Sequence, residues 1–221
     1  MQNSNIIIEG VDRTGKNTLI DGIMQRLGFF QTLHFQKPEL LDYYKAQVRS
    51  LGTVPSEADQ EALRFYQTAS FNHMLKLLGT GSRFILNRSH IGEAVYAKRY
   101  RGYDGNYVFD LEQLNLELDH RFDDSTLLVL LHTSSFDFIK DDGLSFDFSK
   151  KEEEQADFIK AFNRSKIQNK LMIDVNCENS FVPVEQILDL VIERFKASTP
   201  ETQRSRFHRG ADGTYRELIV V

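Results

Sequence analysis

Residues 10–18 read GVDRTGKNT and directly follow the β-branched run Ile6-Ile7-Ile8. Gly10 and Gly15 stand five apart, and Lys16 comes next. Glycines at that spacing let the backbone curl until successive N–H groups point inward, which makes a cradle for a phosphate. Lys16 is placed to reach the outer phosphates of a bound chain, and a helix starting there adds the positive end of its dipole. Both flanks agree with this reading. A short apolar strand precedes the loop, while Leu19, Ile20, Ile23, Met24 and Leu27 mark one face of a helix closed by Gly28. The loop departs from the usual pattern at one position. A Ser or Thr normally follows the lysine and turns its hydroxyl onto Mg2+. Here that residue is Asn17, an amide offered to an ion that demands tight octahedral geometry. Thr18 is the next hydroxyl available to a phosphate.

Beyond the loop, strand-like and helix-like segments alternate. Further strands are expected at residues 31–35, 83–86, 126–131 and 171–175, the run TLLVLL at 126–131 being the clearest. Residues 39–80 read as helical, best after Pro55, where Ser56 is a candidate N-cap. Ala58, Ala62, Phe65, Tyr66, Ala69 and Leu75 trace its expected face, and Gly79 its stop. More helices are expected at 91–101, 111–121, 150–166 (Ala156, Ile159, Ala161 and Phe162 apolar) and 184–195. The pattern predicts one doubly wound α/β domain with a five-stranded parallel sheet over residues 1–196. Residues 132–150 are polar and irregular, with Asp141-Asp142-Gly143 at their middle, and such a long connection suits a lid. Residues 197–221 form a distinct tail, readable either as an edge hairpin or as a mobile extension.

A chain of 221 residues, 41% hydrophobic and 27% charged, suits a single soluble domain. Its net charge of −5 argues against broad binding of nucleic acid without excluding a local basic pocket. Cys177 is alone, so no internal disulfide forms, and it reads as a small core residue. The N-terminus carries no signal-like pattern, and no apolar run approaches a membrane span, so a cytoplasmic protein without membrane contact is expected.

Glu9-Gly10-Val11-Asp12-Arg13-Thr14-Gly15-Lys16 resembles the phosphate loop of thymidylate kinases, which carries an acidic residue and an arginine within it. Asn87-Arg88, with Tyr96 eight residues after Arg88, resembles that family's Asp-Arg-Tyr segment and its downstream tyrosine. The stretch NRSHIGEAVYAKRYRGYD at 87–104 and the Asp-Asp-Gly lid are similar to thymidylate-kinase-like proteins of bacteriophages. The resemblance covers residues 5–196. It implies a P-loop nucleoside monophosphate kinase moving a phosphoryl group from ATP, with Mg2+, to dTMP or a related pyrimidine nucleotide. It also implies a homodimer and, for a phage protein, the host cytoplasm.

By that resemblance, Gly10, Thr14, Gly15, Lys16, Asn17 and Thr18 hold ATP. Asp12 meets the acceptor sugar, and Arg13 bridges donor and acceptor phosphates. Lys37 and Arg88 take the acceptor phosphate, and Tyr96 packs at its sugar. Arg13, Lys16 and Arg88 form the catalytic set. Family members with arginine in the loop generally lack one in the lid, as residues 134–150 do here. Each residue also has an ordinary use: Asp12 as a turn cap, Arg88 as an ion-pair partner, Lys37 as a turn lysine, Tyr96 as core packing.

The departures are specific. Asn87 stands where the family has Asp, so with Asn17 both usual protein supports for Mg2+ are amides. Asp141 and Asp142 are alternative carboxylates or a solvated turn. Phe71 stands where an arginine should read the base, leaving Arg64, Phe65, Tyr66 and Phe71 as candidate base contacts. Two other functions therefore stay open. One is a kinase for a modified pyrimidine within DNA, served by a patch of Lys98, Arg99, Arg101, Arg204, Arg206 and Arg209. The other is a nucleotide-binding protein with weakened catalysis. No histidine has metal-site spacing, and His90 is expected to cap or line the site opening.

Overall fold

The computed structural model describes residues 4–28, 30–34, 56–118, 125–140 and 148–197. Five parallel strands form its sheet: β1 Asn5–Glu9, β2 Gln31–His34, β3 Phe84–Asn87, β4 Thr126–His132 and β5 Lys170–Asp174. Their order is β2-β3-β1-β4-β5, the doubly wound sheet expected from the sequence. Strand β1 lies at its centre, with Ile7 opposite Leu86 of β3 and Leu128 of β4. Alternation divides the β1 side chains between two cores. Ile6 and Ile8 join Leu127, Val129 and Leu131 on one face, and Ile7 joins Leu128 and Leu130 on the other. Burial on both faces explains why these strands read as unbroken apolar runs.

Helix α1, Lys16–Leu27, covers the first face together with the last helix, Val184–Lys196. Four helices cover the other face: α2 Glu57–Leu78, α3 His90–Tyr96, α4 Tyr107–Leu118 and α5 Lys151–Arg164; the last helix is thus α6. Successive connections from β1 and β3 therefore run on opposite faces of the sheet. In such sheets, ligands bind in the crevice opened at the carboxyl ends of the strands where this reversal occurs. Here the crevice lies between residue 9 and residue 87.

Several details differ from the sequence reading. The α2 capping box is present, with the Asp59 N–H donating to Ser56 Oγ at 3.2 Å and the Ser56 N–H to Asp59 Oδ2 at 3.3 Å. Its buried face, however, is Leu63, Gln67, Phe71, Met74, Leu75 and Leu78. Phe65 is 79% exposed and Tyr66 is exposed as well, so the expected face is rotated from the true one. Residues 91–101 do not form one helix. The chain leaves α3 at Tyr96 for a π-type turn, Ala97–Arg101, ended by Gly102 at φ 82°. Helix α5 buries Lys151, Glu154, Phe158, Ala161 and Phe162, while Ala156 faces solvent. An unexpected two-stranded hairpin, β6 Asn176–Cys177 with β7 Ser180–Phe181, follows β5. Cys177 sits half-buried in it. Among the described residues, no helix is long and apolar enough to cross a membrane. The tail from 198 on, Lys37, Asp141 and Asp142 lie outside the described residues.

One buried polar residue ties the start of β1 to the end of α2 and the start of β3. Asn5 donates to the Leu78 carbonyl at 2.9 Å, closing the end of α2, and accepts from the Phe84 N–H at 3.3 Å at the start of β3. Replacing it with Leu strands both backbone groups away from water, at about 1–3 kcal/mol for each. Asn5→Leu should therefore lower unfolding stability by about 2 kcal/mol or more in urea titration, although the new side chain is more apolar.

Candidate functional site

The turn from β1 into α1 is shaped by three left-handed residues: Gly10 at φ 139°, Arg13 at 71° and Gly15 at 85°. At Gly10 a methyl group would collide with the Leu131 carbonyl, so the residue is required by space as well as by dihedral angle. The Thr14 hydroxyl donates to the Val11 carbonyl at 3.0 Å and steadies the curve. Lys16 is only 7% exposed and folds back over the loop, its ammonium 3.0 Å from the Gly10 carbonyl and 2.6 Å from that of Val11. Burial pulls its pKa down to about 7, and the Arg88 guanidinium adds to the shift. Lys16 thus faces backbone carbonyls at a place where an anion would be a far better partner.

From the neighbouring strand end, Arg88 enters with φ 72° and forms an ion pair with Asp12. Its guanidinium also donates to the Tyr96 hydroxyl and lies 5.1 Å from that ring's centroid. Burial first, then the Glu154 and Asp12 carboxylates, hold the Tyr96 hydroxyl well above its ordinary pKa. It therefore keeps its proton and donates it to Glu154 at 3.2 Å. The Tyr96 ring packs edge-on against Phe158, with centroids 5.5 Å apart. Asp12, Arg88 and Tyr96, which the family resemblance assigned to one site, are thus in contact through Arg88. Arg13 points along the rim instead, donating to the Lys140 carbonyl in residues 133–140.

Asn17 and Asn87 also meet. The Asn87 amide donates to Asn17 Oδ1 at 2.6 Å, and Asn87 Oδ1 is left buried without a partner. Asn17 thereby spends its oxygen on its neighbour. Among the described residues, no group of three His, Cys, Asp or Glu side chains could hold a metal ion. These amides do not fit a protein-held magnesium site, so any Mg2+ would be carried by phosphate oxygens and water. Thr18 is exposed on the first turn of α1.

The remaining candidates divide. Phe71 lies in the core cluster with Val11, Ile91 and Val95, on the side of the sheet that carries Tyr96. Arg64 lies over the Tyr107 ring at 5.5 Å and belongs to a different cluster. There the buried Glu93 accepts from Tyr103 at 2.6 Å and Tyr107 at 3.1 Å and pairs with Arg101. Arg99 is bound to Asp157 at 2.5 Å, so Arg99 and Arg101 do not form the outward basic patch considered above. His90 is fully buried against Glu112 at 3.3 Å and does not line an opening.

Two residues here were missed by sequence reasoning. Glu9 is a fully buried carboxylate, its pKa raised by burial, that accepts from the backbone and hydroxyl of Ser89, both at 2.6 Å. It welds the loop after β3 to the end of β1. Lys151 is buried at the start of α5, 3.8 Å from Asp12. Its signal was the spacing 151, 154, 158, 162, which places a lysine and a glutamate on the apolar face of a helix.

No protein-family model and no curated protein matches the chain. Solved structures do share its architecture, which is the P-loop kinase fold. One is the YorR protein of Bacillus subtilis in complex with phosphorylated GDP, with 13% identity and a TM-score of 0.58 over 92% of this chain and 99% of that one. Another is thymidylate kinase of Candida albicans, at 19% identity and TM-score 0.53 over 92% and 93%. Deoxyadenosine kinase of M. mycoides with bound dATP aligns at 15% and 0.54 over 87% and 100%. At such identities the likeness is one of fold.

The positive φ at Arg13 gives a test of whether that side chain is kept against the interest of the backbone. A left-handed non-glycine residue costs about 1–2 kcal/mol. Arg13→Gly should therefore be more stable than Arg13→Ala by about 1 kcal/mol in chemical denaturation.

Proposed function

We propose that this protein is a phosphoryl-transfer enzyme that moves the γ-phosphoryl group of ATP to a (deoxy)nucleoside monophosphate, with dTMP or a related pyrimidine nucleotide as acceptor. The observation that carries this reading is the convergence of Lys16, Arg88 and Asp12 at the carboxyl ends of β1 and β3, beneath a glycine loop shaped for phosphate. Transfer of this kind needs little covalent help from a protein. It needs alignment of donor and acceptor and neutralisation of charge on the moving group.

In this reading Lys16 leaves the Gly10 and Val11 carbonyls for the donor's β- and γ-phosphates. Arg88 holds the acceptor phosphate, oriented by Tyr96, and Asp12 accepts from the acceptor sugar. Arg13 spans the two nucleotides from the rim. Any Mg2+ bound with ATP would offset charge on its phosphates, since Asn17 and Asn87 supply only amides. Purified protein incubated with ATP, Mg2+ and a panel of monophosphates should form the matching diphosphate, and absence of every diphosphate would sink the proposal.

The Asn17–Asn87 hydrogen bond favours a second reading, nucleotide binding with weakened turnover. Asn17→Ser combined with Asn87→Asp should then raise kcat by an order of magnitude or more, about 1.4 kcal/mol of barrier.

Lys16 also predicts a proton linkage. With its pKa near 7, most free protein carries the neutral amine at about pH 8, whereas phosphate anions favour the ammonium. The amine of Lys16 should add proton uptake to ATP binding at about pH 8 and little at about pH 6, where the ammonium is largely formed. Calorimetric binding enthalpies should accordingly show more proton uptake at the higher pH, and Lys16→Met should abolish that difference.

A further inference from the structure

Lysine is among the residues least often fully buried unless it is paired. Lys151 is 3% exposed. Its ammonium stands 3.4 Å and 3.5 Å from the two oxygens of Glu154 and 3.8 Å from Asp12 Oδ2. Both carboxylates have stronger claims on them already. Glu154 accepts from the Tyr96 hydroxyl at 3.2 Å and from that of Tyr100 at 2.8 Å, while Asp12 is paired with Arg88. The contacts of Lys151 are correspondingly long, beyond the usual range for a charge-assisted hydrogen bond. Its charge is near enough to Lys16 to help lower that residue's pKa. Lys16, Arg88 and Lys151 thus converge near Asp12 from α1, the loop after β3 and α5, and the Asn17–Asn87 pair beside them offers amides and no carboxylate.

We propose that Lys151 is a third phosphate-binding cation of this site, one that exchanges Asp12 and Glu154 for phosphate oxygens of the bound nucleotide. The proposal rests on the nucleotide-binding reading above and assigns to a side chain part of the charge that a protein-held Mg2+ would otherwise supply. Concentrated negative charge is what three converging, poorly solvated cations select for. A lysine suits the position because it is a compact charge on a flexible stem and can change partners by rotamer alone.

ATP binding measured by calorimetry in excess EDTA tests this directly, with thermal unfolding run on every variant. The wild type should bind ATP without divalent cation, and Lys151→Gln should bind at least tenfold more weakly. Lys151→Arg, which keeps the charge, should recover most of the loss. Glu154→Gln breaks the same ion pair but leaves the cation, and should bind ATP as well as the wild type or better. Wild-type affinity in Lys151→Gln overturns the proposal. So does an equal loss in Glu154→Gln, because Lys151 would then act only by holding Glu154 in place within α5. A wild type that binds no ATP with or without Mg2+ overturns both this inference and the proposed function, so the two failures are distinguishable.

Discussion

The ion pair between Asp12 and Arg88 joins the loop after β1 to the loop after β3 across the reversal point of the sheet. Everything else in the site is arranged around it. Arg88 reaches the pair only because its backbone accepts φ 72°, and the loop that carries it is held down by the buried Glu9 through Ser89. Tyr96 supports the guanidinium from one side and passes the connection to Glu154 on α5. A single exposed ion pair is worth little, but one tied into a partly buried network fixes geometry. That geometry gathers Arg88 and Lys151 at one aspartate, with Lys16 of the glycine loop close by.

The same arrangement explains why strain gathers here. Gly10, Arg13, Gly15 and Arg88 all take positive φ within a few residues of the strand ends. Two of the four are arginines, which gain nothing from that conformation. Strained backbone persists where the surrounding structure overdetermines it, and it clusters at sites that bind or react. In the free protein Lys16 turns to carbonyls and Lys151 to two carboxylates already in use, so the cations are held in second-best company. An anionic ligand would relieve all of them at once.

Much of this was legible in the chain. Strands buried on both faces announce themselves as apolar runs, so Ile6–Ile8 and Thr126–Leu131 were found, and with them the parallel sheet. The resemblance to thymidylate kinases, carried by the phosphate loop and the Asn87-Arg88 segment, places Asp12, Arg88 and Tyr96 in one site, and they do lie side by side. Faces of helices were harder. On α2 the exposed Phe65 and Tyr66 drew the reading away from Leu63, Gln67 and Phe71, since an aromatic pair in sequence looks like core whether or not it is covered. On α5 the buried face carries Lys151 and Glu154, and hydropathy passes over charges that are buried together. Hydrogen bonds such as Asn87 to Asn17 depend on side-chain approach across 70 residues, which no local pattern encodes.

The central claim is that two nucleotides meet end to end over Asp12, Arg88 and Lys16. A single molecule joining adenosine and thymidine through five phosphates imitates both at once, and an enzyme that aligns two substrates for direct transfer binds such a molecule far more tightly than either part. The account predicts that its dissociation constant is at least a hundredfold below those of ATP and dTMP measured alone. An affinity no better than that of ATP would contradict it, since the site would then hold one nucleotide and offer no aligned place for a second.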